Sequence, residues 1–116
     1  FSYDYDSEKL WINSYKYEVF YGCISEGLKN DSLRIILQNK DLFNPCNELE
    51  FNQIDSARNI GNKVIKNAPK PFIKIDLGDE YLLKKKFISF NCLNYFASKE
   101  LDSIARKEYK KMLKGK

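Results

Sequence analysis

Three groups of side chains in this chain have the types and spacing to do chemistry. Asp76, Asp79 and Glu80 fall within one or two turns of a helical path, where one carboxyl could give a proton while another accepts one. Lys84, Lys85 and Lys86 form a cationic run of the kind that meets phosphate or an anionic headgroup. Cys23, Cys46 and Cys92 could supply a thiolate, a metal ligand or a disulfide. Against these stands the absence of any histidine among 116 residues. That removes Ser/His/Asp and Cys/His nucleophilic sites and the two-His zinc motifs. The five glycines are scattered singly, so neither a dinucleotide fingerprint nor a phosphate-binding loop is present. The carboxylates have no metal motif beside them and read as an acidic exposed face. The lysine run reads as a solvated helix end. The chain is therefore expected to be a binding module, not an enzyme, with no cofactor and no metal.

The net charge of +4 raises the question of nucleic acid, but 17 of the 20 basic residues are lysine. Only Arg34, Arg58 and Arg106 carry the planar fork that bidentate phosphate and base-edge recognition favours. A nucleic-acid partner is not expected. Nor is a membrane partner, because Lys, Asn or Asp interrupts every apolar run well short of the roughly 18 to 20 residues a span needs. The chain opens at Phe1 without methionine, a basic segment or an apolar one, and so reads as a mature or trimmed chain. The cysteines have no CxxC spacing, which disfavours zinc; spacing alone does not choose between free thiols and any particular pair.

The elements that must position these groups are helical. Ser7 followed by Glu8 suits an N-cap, and Leu10, Tyr17, Phe20, Tyr21, Ile24 and Leu28 recur at helical intervals to about Asn30. Asn30, Asp31 and Ser32 cap a shorter helix with Leu33, Ile36 and Leu37 inward, stopped by Asn44-Pro45. Asn47 with Glu50 reads as a capping box for a third helix carrying Phe51, Ile54, Ala57, Gly61, Val64, Ile65 and Ala68. Pro69 and Pro71 end it and leave a stiff, exposed connection. The stretch from Phe72 to Leu83 allows either a strand or a helix, and a lone strand would have no partner, so a helix is expected. Phe87 to Ala97 is apolar almost all round and is expected to be buried on most sides. Ser98 caps a last helix with Leu101, Ile104, Ala105, Tyr109 and Met112 inward and lysines at its C-terminal end. The expected fold is all-α, a single compact bundle of five to six helices forming one domain over residues 1–116.

Two segments carry a family likeness. Tyr15 to Gly27, with Gly22-Cys23-Ile24 at its centre, and Asn91 to Asp102, with Cys92 followed by Ser98-Lys99-Glu100-Leu101, resemble the two cysteine helices of the immunity proteins that protect bacteria from type VI secreted amidases, specifically the fourth amidase-immunity family. Asp55-Ser56-Ala57 through Gly61 resembles the small-residue helix between them. The resemblance implies a periplasmic all-helical inhibitor, a mature chain after signal-peptide removal and commonly a homodimer. Its partner would be a peptidoglycan amidase whose active-site groove it occludes. It further implies a Cys23–Cys92 disulfide, with Cys46 left over. Within that reading Asn67, Lys70, Asp76, Asp79 and Glu80 are the expected effector contacts, because the paired prolines limit the ordering entropy lost on binding. The alternative is a lysine-rich cytosolic helical domain that binds nucleic acid or regulates.

Overall fold

The computed structural model describes residues 6–29, 32–40, 43, 48–68 and 87–115. Among these residues there are five helices and no strand: α1 (Ser7–Gly27), α2 (Ser32–Lys40), α3 (Phe51–Asn67), α4 (Ile88–Phe96) and α5 (Lys99–Lys114). The all-helical expectation holds for them. The helix expected over Phe72–Leu83, the Pro69–Pro71 connection, Cys46 and the Asn44-Pro45 stop lie outside the described residues.

Helix α1 is the hub, packed against α3, α4 and α5. Its buried residues are Trp11, Ile12, Ser14, Tyr15, Glu18, Val19, Gly22 and Cys23. This is a different face from the one its larger apolar residues predict. Tyr17 is 39% exposed, and Leu10, Phe20, Tyr21, Ile24 and Leu28 are only half-buried. A helix with neighbours on three sides buries small and polar residues where the approach is closest and leaves Tyr17, Phe20 and Tyr21 toward the margins. Those margins are nevertheless filled: Phe20 lies against Phe96 and Phe43, and Tyr17 stacks on Phe96 at 5.8 Å, while in the core buried Trp11 contacts Tyr109 at 5.5 Å between ring centroids.

The closest approach is the crossing of α1 and α3. A Cβ on Gly22 would run into the backbone of Arg58, its Cα at 2.7 Å, and a Cβ on Gly61 would run into the Val19 carbonyl. The two glycines therefore let one helix backbone rest on the other. Asn62, with its amide nitrogen turned toward α1, donates to Gly22 O at 2.7 Å and to Arg58 O at 3.2 Å. Ala57, fully buried, continues the small-residue seam.

Two helix starts differ from expectation, by one residue at α1 and by three at α3. Asp6, not Ser7, caps α1: its Oδ1 accepts from Lys9 N at 3.0 Å. At α3 the cap is Glu50, whose backbone N–H donates to Gln53 Oε1 at 3.0 Å, three residues downstream of the expected Asn47 and Glu50 pairing. In both cases a second residue able to cap lay within one turn, and packing of the following helix selects between them. Helix α1 also ends earlier, at Gly27. Ser98 caps α5 as expected, its Oγ accepting from Leu101 N at 3.1 Å. Leu101 and Ala105 are fully buried, with Ile104, Tyr109 and Met112 packed partly buried against the same core.

Two burial expectations fail. Helix α4 buries only Cys92, while Phe90 and Leu93 are more than half exposed. Its apolar character all round reflects an outward face without charge, not enclosure. On α2, Ile36 is 49% and Ile35 61% exposed. Phe51 opens α3 almost fully exposed, because the helix starts beyond the edge of the core formed by the described residues. No helix among the described residues is long and apolar enough to cross a membrane.

Candidate functional site

Asn67 is the last residue of α3, exposed, with its Nδ2 donating to Lys63 O at 2.9 Å one turn back. Ala68 follows in an extended conformation, as a residue before proline prefers. The other expected effector contacts, Lys70, Asp76, Asp79 and Glu80, lie outside the described residues. The frame around the connection can still be built. Glu26 at the end of α1 binds Lys29 at 2.9 Å and Lys66 of α3 at 3.6 Å. Gly27 sits against Ile88, the first residue of α4, so close that a Cβ there would press on its side chain. The end of α1, the end of α3 and the start of α4 therefore meet at one end of the molecule, which is where the chain leaves at Ala68 and returns at Phe87.

Cys23 and Cys92 form a disulfide, with 5.7 Å between their Cα atoms, and both are buried. It links the middle of α4 to α1 one turn from Gly27. The pairing implied by the resemblance is therefore present. Among the described residues no group of three or more His, Cys, Asp or Glu side chains could hold a metal ion.

Several buried polar contacts escape a reading of spacing alone. Glu18 is 2% exposed, and its Oε2 accepts from Arg58 Nε at 2.7 Å. The guanidinium also lies over the Tyr21 ring at 4.6 Å from its centroid. A carboxylate on the face of α1 that meets α3 needs such a partner, since burying an unpaired charge is costly. The signal in the sequence was Glu18 lying three to four residues from Tyr15, Gly22 and Tyr21, within the seam. Arg58→Met is expected to cost about 2 kcal/mol, below the loss typical of fully buried pairs because the guanidinium is half exposed. Urea unfolding monitored by circular dichroism measures it, and a loss below about 0.5 kcal/mol would mean that the pair does not support the crossing.

A second polar group lines an open cleft of about 410 Å³ between the start of α1 and α5, formed by Asp6, Glu8, Lys9, Ile12, Asn13, Lys16, Asp102 and Arg106. Asp102 accepts from Lys16 at 2.8 Å and from Arg106 at 2.8 Å, and these two cations hold its carboxyl below the usual carboxylate range. The hydrogen bond from Lys29 does the same for Glu26. Both groups stabilise the fold above their ordinary pKa and lose that contribution only as pH falls through the lowered values. The cleft's opposite charges satisfy one another and leave no reactive group.

The tyrosines set the alkaline limit. Burial pushes the Tyr95 hydroxyl up to about 12, with the negative charge of Glu100 adding to it. Burial also raises Tyr15, whose hydroxyl lies 3.4 Å from Ser56 Oγ. In the unfolded chain these phenols ionise near 10. Between that value and the folded one the unfolded state binds fewer protons, so stability is full below pH 10 and falls as the pH rises toward 12. Tyrosinate absorbance is expected to show late-titrating phenols, of which the one titrating near 12 disappears in Tyr95→Phe. An unchanged titration in that variant would remove Tyr95 as the cause.

No protein-family model matches the chain, no curated protein is similar to it, and no solved structure resembles it.

Proposed function

We propose that the chain is a periplasmic immunity protein that binds a type VI secreted Cys/His peptidoglycan amidase and covers its active-site groove. The observation that carries this reading is the buried Cys23–Cys92 disulfide. Disulfides persist in oxidising compartments such as the bacterial periplasm and are rare in the cytosol. This one joins the two helices on which the likeness to amidase immunity proteins rests. Inhibition then needs no reactive group on this chain. An amidase whose cysteine is activated by histidine stops when its groove is filled.

The surface for that contact takes in Asn67, at the end of the molecule where α1, α3 and α4 meet, together with Lys70, Asp76, Asp79 and Glu80 of the connection between α3 and α4, which lie outside the described residues. Phe90 and Leu93 on α4 supply apolar area beside it. The acids would speed association with a positively charged groove rim and make it weaken with salt. A homodimer places two such surfaces on one particle. The test is association of the oxidised protein with type VI secreted Cys/His peptidoglycan amidases, its rate measured by surface plasmon resonance. Reversing the charge of Asp76, Asp79 and Glu80 together is expected to slow association at least tenfold at low salt. Unchanged association with an unchanged circular dichroism spectrum would put the interface elsewhere.

A further inference from the structure

Helix α5 carries six basic and three acidic residues, so most of the chain's net positive charge sits on one element. Its acids are all engaged. Asp102 binds Lys16 and Arg106, Glu108 binds Lys111 at 3.3 Å, and Glu100 interacts with the Tyr95 hydroxyl. Lys99, Lys107, Lys110 and Lys114 are exposed and have no ion pair among the described residues. With Ser103 they follow one another at intervals of three and four residues, which places them along one side of the helix, opposite buried Leu101 and Ala105. From Lys99 to Lys114 the row is about 22 Å long. Leu113, half exposed, lies beside Lys110 and Lys114.

We propose that this outer face of α5 binds an anionic phospholipid surface, a peripheral contact that needs no spanning segment and so departs from the expectation of no membrane partner. The charge is complementary to a surface of anionic headgroups. The cations are lysines, strongly hydrated point charges suited to diffuse attraction to headgroups, and the one arginine nearby is held by Asp102. Leu113 adds one exposed apolar side chain at the C-terminal end of the row, so electrostatic attraction to the headgroups supplies most of the binding. This inference is independent of the amidase reading. The surface involved is made by α5, away from the end where α1, α3 and α4 meet.

The experiment is sedimentation of the oxidised full chain with phosphatidylcholine vesicles, pure or containing roughly one-third phosphatidylglycerol. Binding is expected to the anionic vesicles only, and to be lost at high salt. Each lysine contributes roughly fivefold, so Lys107→Glu, Lys110→Glu and Lys114→Glu together are expected to lower partitioning at least about a hundredfold. The same three positions changed to Gln give a smaller loss of the same sign, and circular dichroism verifies the fold of both. Absence of binding to anionic vesicles, equal binding to neutral ones, or binding insensitive to both triple variants would overturn the proposal. So would tighter binding to duplex DNA than to anionic vesicles at equal phosphate concentration.

Discussion

Gly61→Ala is expected to destabilise the protein by about 3 kcal/mol, although alanine is the better helix former by about 1 kcal/mol. The added Cβ would meet the Val19 carbonyl and the backbone of α1, which cannot rotate aside as a side chain can. The two helices would have to separate along their whole contact, loosening the Asn62 bond to Gly22 O and the Glu18–Arg58 pair with it. Gly22→Ala has the same cause and a similar effect. Gly27→Ala meets only the Ile88 side chain and costs less, and Gly115→Ala finds ordinary contacts at 3.6 Å and stays within about 0.5 kcal/mol. Urea midpoints of the four variants give the ranking. Equal effects at Gly61 and Gly115 would refute the backbone-on-backbone crossing.

Removing the disulfide as Cys23→Ser with Cys92→Ser is expected to cost about 4 kcal/mol, because it closes a loop with a sequence separation of 69 residues in the unfolded chain. For a domain of ordinary stability this is a large share of the total. The loss is not spread evenly. Helix α4 is nine residues long, has no side-chain N-cap bond and buries only Cys92. A helix of that length does not persist alone in water. Amide exchange in the variant is expected to accelerate first over residues 88–96, while α1 and α3 keep protection through their own crossing. Retention of α4 protection with a stability loss below about 1 kcal/mol would show that packing, not the bridge, holds it.

The helices themselves were legible in the sequence because their caps and stops are local. Ser98 ahead of Leu101, and Ala68 ahead of Pro69, act within one turn and need no tertiary partner. What failed was the identity of faces. Apolar periodicity pointed to Tyr17, Phe20 and Tyr21 as the interior of α1, whereas Ser14, Glu18 and Gly22 are deeper. Hydrophobicity reports transfer from water and says nothing of how near two backbones come. Close approach is encoded by missing side chains, at Gly22, Ala57 and Gly61, and the buried Glu18 follows from Arg58 standing on the opposite helix. The uncharged sequence of α4 likewise gave no sign of which neighbours it lacks. The cysteine pair was legible only through the family likeness, since three cysteines allow three pairings and spacing prefers none. Of the expected effector contacts, Asn67 lies where α3 ends, and the rest fall outside the described residues.

Inhibition by occlusion is tested most directly by the rate at which the type VI secreted Cys/His amidase that the oxidised protein binds cleaves peptidoglycan stem peptides as that protein is titrated in. A linear fall to complete inhibition at one inhibitor chain per amidase is expected, with the inhibitor recovered intact. Undiminished turnover in the presence of a large excess of correctly disulfide-bonded protein would contradict it.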